Sequence, residues 1–320
     1  MPDVAVTAVS VQGGRFKKLR PFMGALALAL MAGFLARECA AGRLAGWSPR
    51  PWDIALLLPL LPLLPFFKLL AWQVLTERAG IELPLAETAQ AWIWSTAGRY
   101  VPGKVLFVAG RIAPYGPEPR RLAVAGYLMI VEFAVEVMSA TLILLAALLV
   151  YPVPNTWRVP LACAAAVTAV MLSFPAVVNG GARLLLRRFK ATDAPELALR
   201  RRDLLAACAL TLCHWTAYLA AIHLATRGLR PMSLAETIYT GGCLSAASLV
   251  GTLAVFTPGG LGVRESLLAQ FLRLLPGVDF ATGLLIASII RLLQWGGELE
   301  AFLLFILGRA SSRARGQGPR

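Results

Sequence analysis

A helix break flanked by cations occurs at Gly98–Arg99–Tyr100–Val101–Pro102–Gly103–Lys104, with Arg111 two turns further along the chain. A second break, Pro258–Gly259–Gly260–Leu261–Gly262–Val263, leads directly into Arg264 and Glu265. Proline ends a helix because it lacks a backbone N–H, and glycine permits the tight turns that follow. Within a membrane such a break leaves unpaired N–H and C=O groups, which are tolerated where protein buries them or water reaches them. Helix ends that point at a cavity also offer partial charges to a ligand. Arginine supplies forked donors and lysine a point charge, so Arg99, Lys104 and Arg111 form a reasonable phosphate-binding set. The competing readings are cations snorkelling at the interface and a local Arg264–Glu265 ion pair in an interfacial turn.

Two carboxylates, Glu132 and Glu136, lie one helical turn apart within an apolar run. Inside a membrane they need a cation, a proton or water. Arg99, Arg111 and Arg291 are candidate partners, and proton relay is the alternative role. In the last apolar run Arg291, Gln294 and Glu298 fall on one helix face, which should turn toward protein rather than lipid, while Glu300 lies off that stripe. His214 and His223 have no metal-ligand spacing, which favours structural roles for both. No Walker loop, G-x-S-x-G elbow or H-E-x-x-H is present, and no catalytic residue, metal or cofactor is expected. The five cysteines, Cys39, Cys163, Cys208, Cys213 and Cys243, form no C-x-x-C pair and read as small membrane-helix residues.

The elements that must position these groups are apolar and long. Of the 320 residues 58% are hydrophobic and only 15% charged, well below the roughly 25% charged of a soluble domain; the mean hydropathy is +0.68. Val159–Ala182, Leu204–Thr226 and Thr237–Val263 each contain no charged residue, and each is long enough to cross a bilayer as a helix. A net charge of +14 would point to nucleic acid in a soluble protein. Here the cations sit at the ends of apolar runs, where they face the cytoplasm and anionic headgroups, so nucleic acid is not an expected partner. The basic residues near Arg20 precede a long span without a signal-peptide pattern.

The expected fold is an all-α, polytopic membrane helix bundle. Six full spans are expected, near 22–40, 54–75, 122–151, 159–178, 204–226 and 280–307. Pro59, Pro62 and Pro65 kink the second, and Lys68 interrupts it. Residues 76–121 hold two arms too short to span, about 86–97 and 105–113, and residues 227–280 likewise break at Pro258. Residues 1–20 form a basic arm, 21–308 the membrane domain, 183–203 the one substantial hydrophilic loop, and 309–320 a basic tail. The positive-inside rule places the arm, this loop and the tail in the cytoplasm. Alternation then requires 76–121 and 227–280 to be re-entrant helical hairpins entering from opposite faces. The halves 54–151 and 204–307 thus outline an inverted repeat, an architecture common in transporters. Leu85–Ala86–Glu87–Thr88 and Leu234–Ala235–Glu236–Thr237 open the two hairpins at matching places.

The two break motifs together resemble the lysylphosphatidylglycerol synthase transmembrane-region family, over about residues 20–308. That family is similar to the flippase half of bacterial aminoacyl-phosphatidylglycerol synthases. The resemblance implies translocation or related handling of a lipid, in the bacterial cytoplasmic (inner) membrane. By motif match it carries over Arg99, Pro102, Gly103, Lys104, Arg111, Gly259, Gly260, Gly262, Arg264 and Glu265. The chain departs from the full-length synthases in lacking their soluble aminoacyl-transferase domain, so synthesis of lysyl-phosphatidylglycerol is not implied and the cargo stays open.

The expectation is a transporter of flippase type, and not an enzyme, moving an amphiphile with a phosphate or other polar headgroup. Arg99, Lys104, Arg111, Arg264 and Arg291 would bind the headgroup. Pro102, Gly103, Pro258, Gly259, Gly260 and Gly262 would form the hairpin breaks. Glu132, Glu136, Glu265 and Glu298 would balance charge or carry coupling protons. The expected partner is a membrane lipid, a phospholipid or a polyprenyl-linked molecule. The alternatives are a membrane-embedded lipid-modifying enzyme and a non-catalytic partner of lipid, glycan or hopanoid synthesis enzymes.

Overall fold

The computed structural model describes residues 29, 32–33, 36–40, 42, 44, 46–101, 105–152, 170, 175–188, 199–254 and 257–314, and among them every regular element is helical. The helices are α1 (Pro51–Leu60), α2 (Leu63–Arg78), α3 (Leu85–Gly98), α4 (Val105–Ile112), α5 (Pro119–Val150), α6 (Pro175–Arg188), α7 (Arg201–Thr226), α8 (Leu234–Leu253), α9 (Val263–Leu272) and α10 (Phe280–Ala314). Short 3-10 turns occupy Ala113–Tyr115 and Pro258–Gly260. Four helical stretches, Pro51–Arg78, Pro119–Val150, Arg201–Thr226 and Phe280–Gly308, are long and apolar enough to cross a membrane. The spans expected near 22–40 and 159–178 fall largely outside the described residues.

Local chemistry accounts for the boundaries. Proline occupies the first turn of α1 and of α5, where its missing N–H is no loss. Pro59 and Pro62 interrupt the helical ladder, and the expected second span is two helices joined at Leu61–Pro62. Asp203 starts α7 by accepting the Arg200 N–H at 3.0 Å, and Arg78 packs on it at 3.5 Å. Ser233 and Glu236 cap α8 reciprocally at 3.2 and 2.8 Å, and Arg230 holds the same carboxylate at 2.6 Å. Burial raises the Glu236 carboxyl pKa, but the Ser233 N–H and Arg230 outweigh that and hold it below the usual range. The hydrophilic loop expected over 183–203 is shorter than its charge implies. Helix α6 continues to Arg188 and α7 begins at Arg201, because cationic residues suit the carbonyl end of a helix.

At 1.5 Å per residue, α3 is about 21 Å long and α4 about 12 Å. Both fall short of the roughly 30 Å hydrocarbon core. They pack tightly on one another: a Cβ on Gly98 would lie 2.6 Å from the Leu106 carbonyl carbon. The Ser95 hydroxyl also donates to the Phe107 carbonyl at 2.8 Å. Two apolar cores hold the bundle. One gathers α1, α7, α8, α9 and α10 around Trp215, Ile222, Leu244 and Ile290. The other gathers α2, α3, α5, α6 and α7 around Trp72, Tyr127 and Leu128. Large apolar side chains such as Leu56, Leu149, Leu304 and Leu307 project outward, as surfaces that meet lipid do.

Candidate functional site

The two sequence breaks meet. The Gly259 N–H donates to the Arg99 carbonyl at 3.1 Å, joining segments far apart in the chain. Gly259 has φ +58, and a Cβ there would lie 2.9 Å from the Tyr100 ring. Gly260, at φ +71, packs against the Gly251 carbonyl. Only glycine offers both the left-handed backbone and the room. Arg291 on α10 adds to the junction, donating through Nη1 and Nη2 to the Gly259 carbonyl at 3.3 Å each.

Charges ring this junction. Arg291, 1% exposed, also reaches Glu265 Oε1 through Nε at 2.6 Å and Nη2 at 2.5 Å. The other Glu265 oxygen accepts the Gly262 N–H at 2.7 Å and so caps α9. Glu298 accepts from the Arg99 guanidinium, from Gln294 at 2.9 Å and from the Tyr100 hydroxyl at 3.0 Å. Arg264 donates to Gln294 Oε1 and, at 3.0 Å, to the Tyr218 hydroxyl. The Tyr218 hydroxyl in turn donates to the Ile290 carbonyl at 3.2 Å. The three cations Arg99, Arg264 and Arg291 therefore face two carboxylates, Glu265 and Glu298. The hydrogen-bond partners of Arg264 are both neutral, although it is only 9% exposed. The Nε of Arg99 is buried without a partner among the described residues. Desolvated guanidinium groups with spare donors are suited to a phosphate or carboxylate oxygen.

A second polar group adjoins the first. Arg111 is 2% exposed and is boxed by the rings of Trp72, Trp92 and Phe107 at 4.6, 5.5 and 5.8 Å. It donates to Ser95 at 3.3 Å and to Glu132 at 3.4 Å. Glu136 pairs with Lys68 at 2.8 Å. His214 Nδ1 lies 2.8 Å from the Leu64 carbonyl. These charges balance: two cations meet two anions.

The structure thus brings Arg99, Arg264, Arg291, Glu265, Glu298, Gly259 and Gly260 into one junction, with Gly262 at the start of α9. Arg111 and Glu132 form a neighbouring pair rather than part of the junction. The partner of Glu136 is Lys68, not one of the three candidate arginines, because α2 brings the ammonium alongside α5. Arg264 and Glu265 do not pair as chain neighbours; each turns to α10. Pro102, Gly103 and Lys104 lie outside the described residues, as does Cys163. Sequence reasoning missed Tyr218 and Ser95, neutral residues in apolar runs that give no signal of their own. Lys68 did give one, as a charge inside a span. No group of His, Cys, Asp and Glu among the described residues could hold a metal ion.

A bundle of membrane-length helices, with two broken helical segments that meet at a charged junction, defines a polytopic helical membrane protein with an internal polar site. The chain belongs to the lysylphosphatidylglycerol synthase TM region family, whose model matches residues 18–297. That membership supports a lipid-related function at a membrane. Neither the comparison with curated proteins nor that with solved structures gave a match.

Proposed function

We propose that this protein is a lipid transporter of flippase type in the bacterial inner membrane, multi-pass with both termini cytoplasmic. The cargo is an amphiphile whose anionic headgroup enters the junction while its chains stay in lipid. Arms α3–α4 and α8–α9 act as two re-entrant hairpins of an inverted repeat, entering from opposite faces. The observation that carries this reading is the excess of cation over carboxylate where the breaks meet, centred on Arg264 with its neutral partners. Buried charge at membrane depth is costly, and its usual justification is a ligand or ion. Backbone broken at the same place supplies the further donors that a polar headgroup needs.

In this reading Arg99, Arg264 and Arg291 meet the headgroup, while Lys104 and Arg111 guide it toward the first break with Pro102 and Gly103. Pro258, Gly259, Gly260 and Gly262 shape the second break. Glu265 and Glu298 hold the arginines when no cargo is present, and Glu132 and Glu136 balance the neighbouring cations. A phospholipid and a polyprenyl-linked lipid share the required chemistry. A lipid or glycan synthesis enzyme is a fitting partner to supply or consume either.

The test is translocation in proteoliposomes. Headgroup-labelled phospholipids and polyprenyl phosphates are followed by their access to an external quencher. Protein-dependent movement should fall at least tenfold in Arg264→Gln, the loss of one charge-assisted contact worth about 1.5–3 kcal/mol. Unchanged transport by a folded Arg264→Gln protein would refute the assignment.

A further inference from the structure

We propose that His214 is a proton-binding site linked to the headgroup site at Arg264, so that the protein takes up a proton together with its anionic cargo. This rests on the transport reading above. His214 sits in the middle of α7 and is 8% exposed. An ionisable ring at that depth calls for a functional explanation. The hydrogen bond it makes does not supply one, because an amide could make it equally well. A carbonyl oxygen only accepts, so the Nδ1 facing Leu64 carries the hydrogen. Nε2 is therefore the nitrogen that gains or loses a proton.

The ring stands between the two polar groups. Lys68 acts on it from α2, Glu136 from α5 and Arg264 from α9. The neutral rings of Trp215 and Tyr218, at 5.6 and 5.7 Å, flank it on its own helix. Helix α10, which also packs on α7, brings Arg291 and Glu298, each already held by an opposite charge. Helices α1 and α8 carry Asp53 and Glu236 at the far end of α7, paired to Arg227 and Arg230. A proton on Nε2 is thus opposed first by the buried surroundings and then by Lys68 and Arg264, and attracted by Glu136. An anionic headgroup on Arg264 cancels one of the two repulsions and so favours protonation. By linkage the proton favours the headgroup by the same factor. Lys68 and Glu136, with side chains 29% and 23% exposed, keep this region from being sealed inside the core. Tyr218 is the shared element: its ring contacts His214 and its hydroxyl receives Arg264.

The experiment uses the full chain in phosphatidylcholine nanodiscs in weak buffer. Dioctanoyl phosphatidylglycerol is added, and lipid binding and pH are recorded on one sample between about pH 4 and about pH 7. The expected result is uptake approaching about one proton per bound lipid at its maximum. It should be lost in His214→Asn, whose amide retains the bond to Leu64, and kept in His223→Asn. Binding without a pH change anywhere in the range, or equal uptake in His214→Asn, would overturn the inference and leave the transport reading standing. Absence of binding by the unaltered protein, both of this lipid and of a short polyprenyl phosphate, would overturn both. Should His214→Asn not fold, nitrogen NMR of the labelled unaltered protein decides, with His223 assigned from its own variant. A His214 ring that keeps one protonation state with and without lipid would overturn the proposal.

Discussion

Glu265→Gln breaks an ion pair that is buried on both sides. Glu265 is 3% exposed and Arg291 1%, so neither is screened by solvent. Glutamine keeps the volume and an acceptor for the Gly262 N–H but removes the charge. For charge centres about 4 Å apart at an effective dielectric near 20, the lost attraction is about 4 kcal/mol. Breaking a buried pair from one side is known to destabilise by roughly 3–5 kcal/mol, because the remaining ion is left uncompensated. Arg291 would then bear its charge among neutral partners, the Gly259 carbonyl and the Trp295 ring among them. SDS-driven unfolding in mixed micelles should show a loss of about 3–5 kcal/mol in Glu265→Gln. The double variant Glu265→Gln/Arg291→Met should recover part of that loss, since it removes the orphaned guanidinium. A single variant within about 1 kcal/mol of the unaltered protein, the level of an exposed pair, would refute the claim that this pair is desolvated and holds the second break.

Gly259→Ala should lower stability by about 1–2 kcal/mol from its left-handed backbone alone. It should reduce lipid movement further, because its methyl group meets the Tyr100 ring; thermal unfolding and the quenching assay report the two effects. Glu236 provides a pH signature. Its carboxyl pKa is held below the ordinary value of 4.5 by Ser233 and Arg230 once the opposing effect of burial is overcome. The capping contribution is therefore complete above that pH and lost as pH falls through the depressed value. Protection against hydrogen exchange at the start of α8, measured relative to the intrinsic rate at each pH, should fall on acidification, and Glu236→Gln should flatten the response.

Much of the architecture was legible because membrane helices carry strong signals. Uncharged runs longer than a bilayer and the prolines Pro59 and Pro62 are read along the chain itself. The stripe of Arg291, Gln294 and Glu298 was also legible, because helical periodicity puts them on one face whatever lies opposite. The 183–203 segment was less so: its arginines read as loop, whereas α6 carries its helix through to Arg188.

The sequence by itself determined which residues break helices and which charges lie too deep to be incidental. Both properties are local: a missing N–H, an absent Cβ, or a charge surrounded by apolar neighbours in the chain. The tertiary structure alone decided that the breaks at Arg99 and Gly259 touch. It alone decided that Glu265 serves Arg291 rather than Arg264, that Lys68 answers Glu136, and that Tyr218 joins Arg264 to His214. Such pairings join residues far apart in the chain and depend on which helix faces which. Neither periodicity nor composition encodes that choice, because an arginine in an apolar run is equally short of a partner whichever carboxylate finally reaches it.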